Sequence, residues 1–311
     1  MNKIKFRKYT MKLTSRLKKL ALTACSILAL GSFSADAQLL WKVEKPGSDK
    51  VSYLLGTHHF APVEILDSID GLNQAFDSVE KLYGEIDMAM MNNPVELMKY
   101  QNLLMAPADS TLDKILTPAE LDSVNVVWTR VTKGQAPLSM FYPMKPASVS
   151  NTMVAALMAE RFPDKDMTKP GIDQTMQNRA KEAGKEVAGL ETMEFQMDML
   201  FGTPISKQKE DLMEAVADGG KANIDQTLEI TDAYMKRDLD AVEKMMTDPE
   251  AMSPQEADRL IFNRNYNWVE FLKEEMASHP VMVVVGAGHL PADKGVISLL
   301  RKAGYTVTPV N

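Results

Sequence analysis

The run Val281-Met282-Val283-Val284-Val285, followed by Gly286-Ala287-Gly288-His289, decides how this chain is read. Five apolar side chains without polar alternation make a strand covered on both faces, as in a sheet with helices on either side. Downstream, a helical pattern over 293–303 and a strand over 306–310 close the chain. Upstream, 39–43 and 51–55 are apolar and β-rich, and the turn-forming stretch Glu44-Lys45-Pro46-Gly47-Ser48-Asp49-Lys50 joins them as a hairpin. A helix over 69–77 precedes a third strand over 79–86. Helical patterning then runs from 94 to about 165, where Thr117-Pro118-Ala119-Glu120 supplies an N-cap, a first-turn proline and an acid at the third helical position. Gly171-Ile172-Asp173 caps a helix that ends at Gly184, and 186–190 is a short strand. Helices over 206–217, 224–235, 239–246 and 254–278 fill the space before Val281. The pattern predicts one α/β domain over 38–311: a single mixed sheet flanked by helices, with a long helical insertion, about 94–165, between the N-terminal and C-terminal strands.

The chain has 311 residues, 45% hydrophobic and 25% charged, a balance with room for a sizeable core and without the bias of disordered, collagen-like or repeat proteins. Residues 1–37 differ from the rest: they hold eight basic side chains from Lys3 to Lys19, an apolar run from Leu20 to Phe33, and Ala35-Asp36-Ala37. A basic segment, an apolar segment too short to span a bilayer and an A-x-A site are the marks of a cleavable export signal. Met11 opens a leader of more usual length. A lipidated Cys25 is the minor alternative, because Leu22-Thr23-Ala24-Cys25 fits a lipoprotein box, although only Leu20 to Ala24 would then form the apolar core. Removing 1–37 takes eight of the 35 basic and one of the 42 acidic residues, leaving 27 against 41 and a formal charge of −14. So acidic a chain, without an arginine-rich stripe interleaved with aromatics, argues against a nucleic-acid partner. No segment of the mature chain has about 18 uninterrupted apolar residues, so no transmembrane segment is expected there. Cys25 is the only cysteine, which leaves the mature chain no thiol nucleophile, Cys-based zinc site or internal disulfide.

Three of the four histidines follow predicted strands. The segment 51–55 runs into Gly56-Thr57-His58-His59, and 281–285 runs into Gly286-Ala287-Gly288-His289, so each is strand, glycine, two residues, histidine. Ligand sites of α/β sheets collect beyond the carboxyl ends of the strands, and the repeated spacing aims two imidazoles, His59 and His289, at one crevice. Glu85, at the end of the third strand, joins them, with Asp87 two residues on. Two histidines and one carboxylate form the N/O ligand set of an open catalytic metal site, where a bound water becomes more acidic. Taken singly, a strand-end histidine is more often a hydrogen-bonded structural residue; the matched pair is what points to function. His279, before Pro280 in a polar turn, is read as exposed.

These segments resemble the TraB/GumN family, which includes the TIKI proteases. The likeness runs from about Leu40 to Val310 through YLLGTHH (Tyr53 to His59), LYGEID (Leu82 to Asp87), GID (Gly171 to Asp173), GLETMEFQ (Gly189 to Gln196), RNYNW (Arg264 to Trp268) and VVVGAGHLPADKGVISLLRKAGY (Val283 to Tyr305). It implies a metal-dependent hydrolytic site at His59, Glu85 and His289, with Glu85 a ligand or the general base. It also adds Arg264 as a donor to an oxyanion or substrate carboxylate, and Asn265 to orient a ligand or the water. Hard N/O ligands suit Mn, Co, Zn or Fe. The family pattern usually lacks a second histidine beside the motif one. The spacing selects His59, and neighbouring strand-end residues point opposite ways, which leaves His58 a substrate-facing or surface group. Glu191 of GLET and Asp173 of GID are read as structural, Glu191 suiting a helix N-terminus, and the 23 methionines as adaptable core packing. A more distant likeness to erythromycin esterases and ChaN-type haem-binding lipoproteins carries the alternative, a haem or metal carrier or an inactive binding member, with Tyr53 or Tyr83 near the site.

Other chemistries find no anchor. VVVGAGHLP imitates the start of a dinucleotide fingerprint, but Pro291 stands at its third glycine position and no acidic residue follows about 20 residues on. There is no G-x-S-x-G, H-E-x-x-H or P-loop. The sequence therefore reads as an exported, metal-dependent, peptidase-like hydrolase acting on a peptide or small-molecule substrate. Cleavage after Ala37 is expected, so N-terminal sequencing of exported material should begin at Gln38; a mature terminus at a lipidated Cys25 would assign the other signal class.

Overall fold

A computed structural model describes residues 38–310 apart from 167, 250 and 251, so the export signal lies outside the described residues. Six strands form one sheet: β1 (Leu40–Glu44), β2 (Val51–Thr57), β3 (Lys81–Gly84), β4 (Glu186–Gly189), β5 (Val281–Gly286) and β6 (Thr306–Pro309). Their order is β4-β3-β5-β2-β1-β6. β5 pairs in parallel with β2 and with β3, and β3 with β4, while β1 runs antiparallel to both β2 and β6. The sheet is mixed and flanked by helices.

The central place of β5 follows from its side chains. Residues 281–285 are at most 1% exposed, and each fully buried Val or Met of this kind stabilises by roughly 1.5–3 kcal/mol. They share one core with Ile172, Met176 and Ala180 of the helix Ile172–Glu182, with Trp268, Leu272 and Met276 of Asn263–Ser278, and with Val296 and Leu300 of Val296–Lys302. In the register Thr57 lies opposite Gly286, and Gly84 opposite both Val284 and Gly189. The carboxyl ends of β2, β3, β4 and β5 therefore open on one edge.

Two elements differ from the sequence expectation. The third strand, expected over 79–86, stops at Gly84 because Glu85 turns its own carboxylate to the Gly286 N–H (2.9 Å), which ends the ladder toward β5. On the other side the chain still follows β4: Leu190 N–H donates to Gly84 O (2.9 Å) and Glu191 N–H to Glu85 O (2.8 Å). The helix expected over 254–278 is instead Pro254–Ala257, a π turn over Asp258–Phe262, and Asn263–Ser278. Asn263 N–H donates to Asp258 O, five residues back, and π turns of this sort recur next to functional sites.

The helical material makes two excursions, from β3 to β4 and from β4 to β5. Helices Pro118–Val131, Pro146–Arg161 and Ile205–Ala215 build a second core around Val124, Trp128, Val149, Met153 and Leu212. The first of them opens with the capping box read in the sequence, Thr117 and Glu120 bonding reciprocally at 3.3 and 2.7 Å. Among the described residues no helix is long and apolar enough to cross a membrane.

Where β4 ends, backbones meet at Gly189. A Cβ there would lie 2.7 Å from Glu191 O, 2.8 Å from Asp87 N and 2.9 Å from Ile86 Cα, and none of these backbone atoms can swing away. Gly189→Ala should lower stability by about 1–3 kcal/mol, read as a shift of the urea midpoint; an unchanged midpoint would mean that the two strand ends tolerate a wider spacing.

Candidate active site

At the shared strand edge two acidic side chains are drawn together by the β3–β4 pairing and a cation stands between them. Arg264 Nε and Nη2 donate to Glu191 Oε1 and Oε2 at 2.7 and 2.8 Å, and Nη2 also donates to Glu85 Oε2 at 2.6 Å. Nη1 donates to Leu260 O (2.8 Å) and to His289 Nε2 (3.2 Å). All five N–H groups of the guanidinium are thus engaged, and none is left for an oxyanion in this arrangement. Gln196 Nε2 adds a donor to Glu85 Oε2 at 2.9 Å and to Glu191 Oε2 at 3.4 Å. Burial opposes the charge on Glu85, but His289, Arg264 and His59, with the Gly286 N–H, outweigh it and hold the carboxyl down at about 2. A Cβ at Gly286 would stand 3.2 Å from Glu85 Oε1, so any larger residue would crowd the carboxylate.

His289 is buried and held from both sides. Its Nδ1 donates to Asn265 Oδ1 (2.6 Å), and Asn265 Nδ2 returns bonds to His289 O (3.3 Å) and Lys294 O (3.0 Å). Nε2 is then the acceptor for Arg264, a tautomer assigned from these partners. Burial lowers His289 to about 4; Glu85 pulls the other way, while Arg264 and His59 add to the lowering. The ring is neutral at neutral pH. Trp268 lies against it with centroids 4.4 Å apart and donates Nε1–H to Glu191 Oε1 at 3.0 Å.

His59 and His58 face different surroundings. His59 Nδ1 meets Asp173 Oδ2 at 2.9 Å, while Asp173 Oδ1 accepts from Thr57 Oγ1 at 2.7 Å. The charge of Asp173, then its hydrogen bond, raises His59 to about 9 against the effect of burial. Because 64% of the His59 side chain is exposed, solvent screens this pair and it adds little to stability. His58 Nδ1 accepts from Phe60 N–H (3.2 Å), so its Nε2 carries the proton and faces Thr231 Oγ1 at 3.3 Å. Burial first, then the charge of His59, lowers His58 to about 4. Its two ring nitrogens are occupied in the wall between the sheet and the helix Lys221–Met235.

The structure brings Glu85, Arg264, Asn265 and His289 into one network, with His59 on a neighbouring loop. Asp87 does not join them: it caps the turn Met88–Asn92 through Ala89 N–H and pairs with Lys181. His279 pairs with Glu80 at 2.8 Å, 39% exposed. Glu191, Asp173, Gln196 and Trp268 enter as parts of the site that spacing alone did not single out. The nearest signals were GLETMEFQ, GID and the i, i+4 spacing of Arg264 and Trp268 on one helical face.

The donors can be tested against a divalent ion. Each imidazole has Nδ1 held by a side-chain oxygen, the usual outer-shell arrangement of metal-binding histidines, so an ion would be taken at Nε2, in place of the His59 proton and of the Arg264 bond to His289. Glu85 Oε1 lies 3.8 Å from His289 Nε2, within the roughly 4 Å that two donors at about 2.1 Å from one ion can span. The donor types of His289, Glu85 and His59 suit a divalent ion, and the His289–Glu85 spacing alone is compatible with one. The expected set is not preassembled, however: Arg264 stands on His289 Nε2, and among the described residues no three His, Cys, Asp or Glu side chains converge tightly enough to hold an ion as placed.

An α/β sheet with paired strand-end histidines and a buried Glu–Arg–Glu cluster defines the class. The chain matches the TraB/PrgY/gumN family over residues 39–309 and belongs to it. No curated protein and no solved structure matches it.

Glu191 decides whether Arg264 stays in place. Glu191→Ala should cost about 3–5 kcal/mol, because it strands part of a buried charge, as measured by guanidinium unfolding. A loss below about 1 kcal/mol, the range of a solvent-screened pair, would show that the guanidinium is not held as described.

Proposed function

We propose that the protein is an exported metal-dependent hydrolase of peptidase-like type. One observation carries the reading: at the carboxyl ends of two parallel strands, two imidazoles have Nδ1 tied to Asp173 and Asn265 near an anionic Glu85, so that an ion would meet both rings at Nε2, on His289 in place of Arg264. His289, Glu85 and His59 would hold a divalent ion, Mn, Co, Zn or Fe, which when bound supplies a water more acidic than bulk water. Glu85, held at about 2, is a weak proton acceptor at neutral pH and serves as the ligand. Its Oε2 is occupied by Arg264 and Gln196, so Oε1 is the oxygen that faces an ion or substrate. Arg264 and Asn265 act through Glu85 and His289 as positioning residues. The carrier alternative gains nothing from Tyr83, which is buried and donates to Glu275 Oε2 at 2.5 Å.

Protein purified without chelator should contain a divalent ion and cleave a peptide pool. His59→Ala and His289→Ala should lose both properties while keeping the far-ultraviolet circular dichroism of the parent. Glu85→Gln should also lose metal and activity together; retained metal with lost activity would make Glu85 the base instead. The reading fails if no peptide or ester is cleaved with Mn, Co, Zn or Fe supplied and all three variants behave as the parent does.

A further inference from the structure

A cavity of about 280 Å³ opens beside the candidate site and is lined in part by His59, Gly286 and Gly288, residues of the same two motif loops. Its lining also includes the apolar or aromatic side chains of Phe60, Met158, Ile230, Tyr234 and Met246. Apart from His59 Nε2, the side-chain polar atoms of its walls already have partners. Both ring nitrogens of His58 are bonded, and the Tyr234 hydroxyl donates to Gly56 O at 3.4 Å. Among the described residues no buried side-chain N or O lacks a hydrogen bond. Away from His59, a polar guest would therefore lose its bonds to water without replacement, whereas an apolar one would lose none.

The motif glycine at 288 belongs to this wall. A Cβ there would stand 2.8 Å from Met246 Sδ, so the absence of a side chain lets the methionine close against the loop that carries His289. A cavity of about 150 Å³ accommodates benzene, so this one takes a larger group, and its two methionines can adapt to branched or aromatic shapes.

We propose that this cavity receives a bulky uncharged apolar side chain, of leucine, methionine or phenylalanine size, next to the bond that is cut. The assignment rests on the hydrolytic reading above and gives it a substrate class: peptides with a large apolar residue flanking the scissile bond. Ile230, half-buried on the helix Lys221–Met235, contributes an apolar wall without bonding to any site residue.

Binding and cleavage are measured side by side. Titration calorimetry with the parent protein should show N-acetyl-phenylalanine amide binding at least about tenfold tighter than the glycine and aspartate amides. A peptide series varied on either side of the scissile bond should show the same order in kcat/KM. Ile230→Trp, which fills the cavity, should bring the phenylalanine-to-glycine ratio close to one, and Ile230→Val should keep it. Equal binding of the three amides, or cleavage without preference for apolar flanking residues, overturns the pocket while leaving the hydrolase standing. Selective binding of the phenylalanine amide with no cleavage of any peptide supports the pocket and defeats the hydrolytic reading. The parent's binding order decides the matter even if Ile230→Trp fails to fold.

Discussion

One buried guanidinium holds the candidate site together. The β3–β4 pairing sets Glu85 and Glu191 side by side, and two carboxylates so close would repel each other in a medium that screens poorly. Arg264 resolves this by bonding both, the Glu191 contact being bidentate and charge-assisted. Everything else in the cluster takes its position from that contact: Nη1 fixes the acceptor nitrogen of His289, Gln196 shares the two carboxylates, and Trp268 bridges Glu191 to the imidazole. A buried ion pair adds little net stability, because desolvation offsets attraction, but losing one member is costly. That asymmetry makes the cluster a device for fixing geometry.

The second constraint is a stripe on the helix Ile172–Glu182. Asp173, Gln177 and Lys181 recur every fourth residue and so line one face. Asp173 takes the His59 ring, Gln177 Nε2 donates to Ile86 O at 2.8 Å while its Oε1 accepts from Met88 N–H at 2.9 Å, and Lys181 pairs with Asp87 at 3.0 Å. A single rigid element thus sets the loop after β2 and the turn after β3 relative to each other. The closeness of Gly171 belongs to the same contact, a Cβ there falling 3.1 Å from His59 O. Precise placement at a loop-built site needs this kind of outer support.

Adjacent residues serve opposite purposes at the end of β2. His59 stands exposed beside Asp173, whereas His58 is half-buried, neutral and bonded on both nitrogens in the wall of the apolar cavity. β2 ends at Thr57 and the chain turns at His59, so the two rings leave the strand end toward different partners, Thr231 and Asp173. Both histidines line the same largely apolar cavity, so a polar group and apolar walls adjoin, the layout in which polar groups orient a ligand and apolar walls select it.

Local pattern sufficed for much of this. The run at 281–285 had no solvent-facing alternation, so a central strand followed, and a glycine three residues before each of His59 and His289 placed both imidazoles at strand ends. The mixed sheet, the helices between its strands and the capping box at Thr117 were legible for the same reason: each depends on residues within a few positions of one another. Glu191 was not legible as a site residue, since its suitability for a helix N-terminus is a local property, whereas its bond to Arg264 spans 73 residues and that of Asp173 to His59 spans 114. The π turn before Arg264 escaped for a related reason: the apolar spacing of 254–278 fits an unbroken helix, and only the pull of buried partners favours the extra residue. Sequence periodicity determines which faces are buried. Which charges meet across the sheet edge is decided by tertiary packing, because a buried charge is stable only where the fold brings its partner.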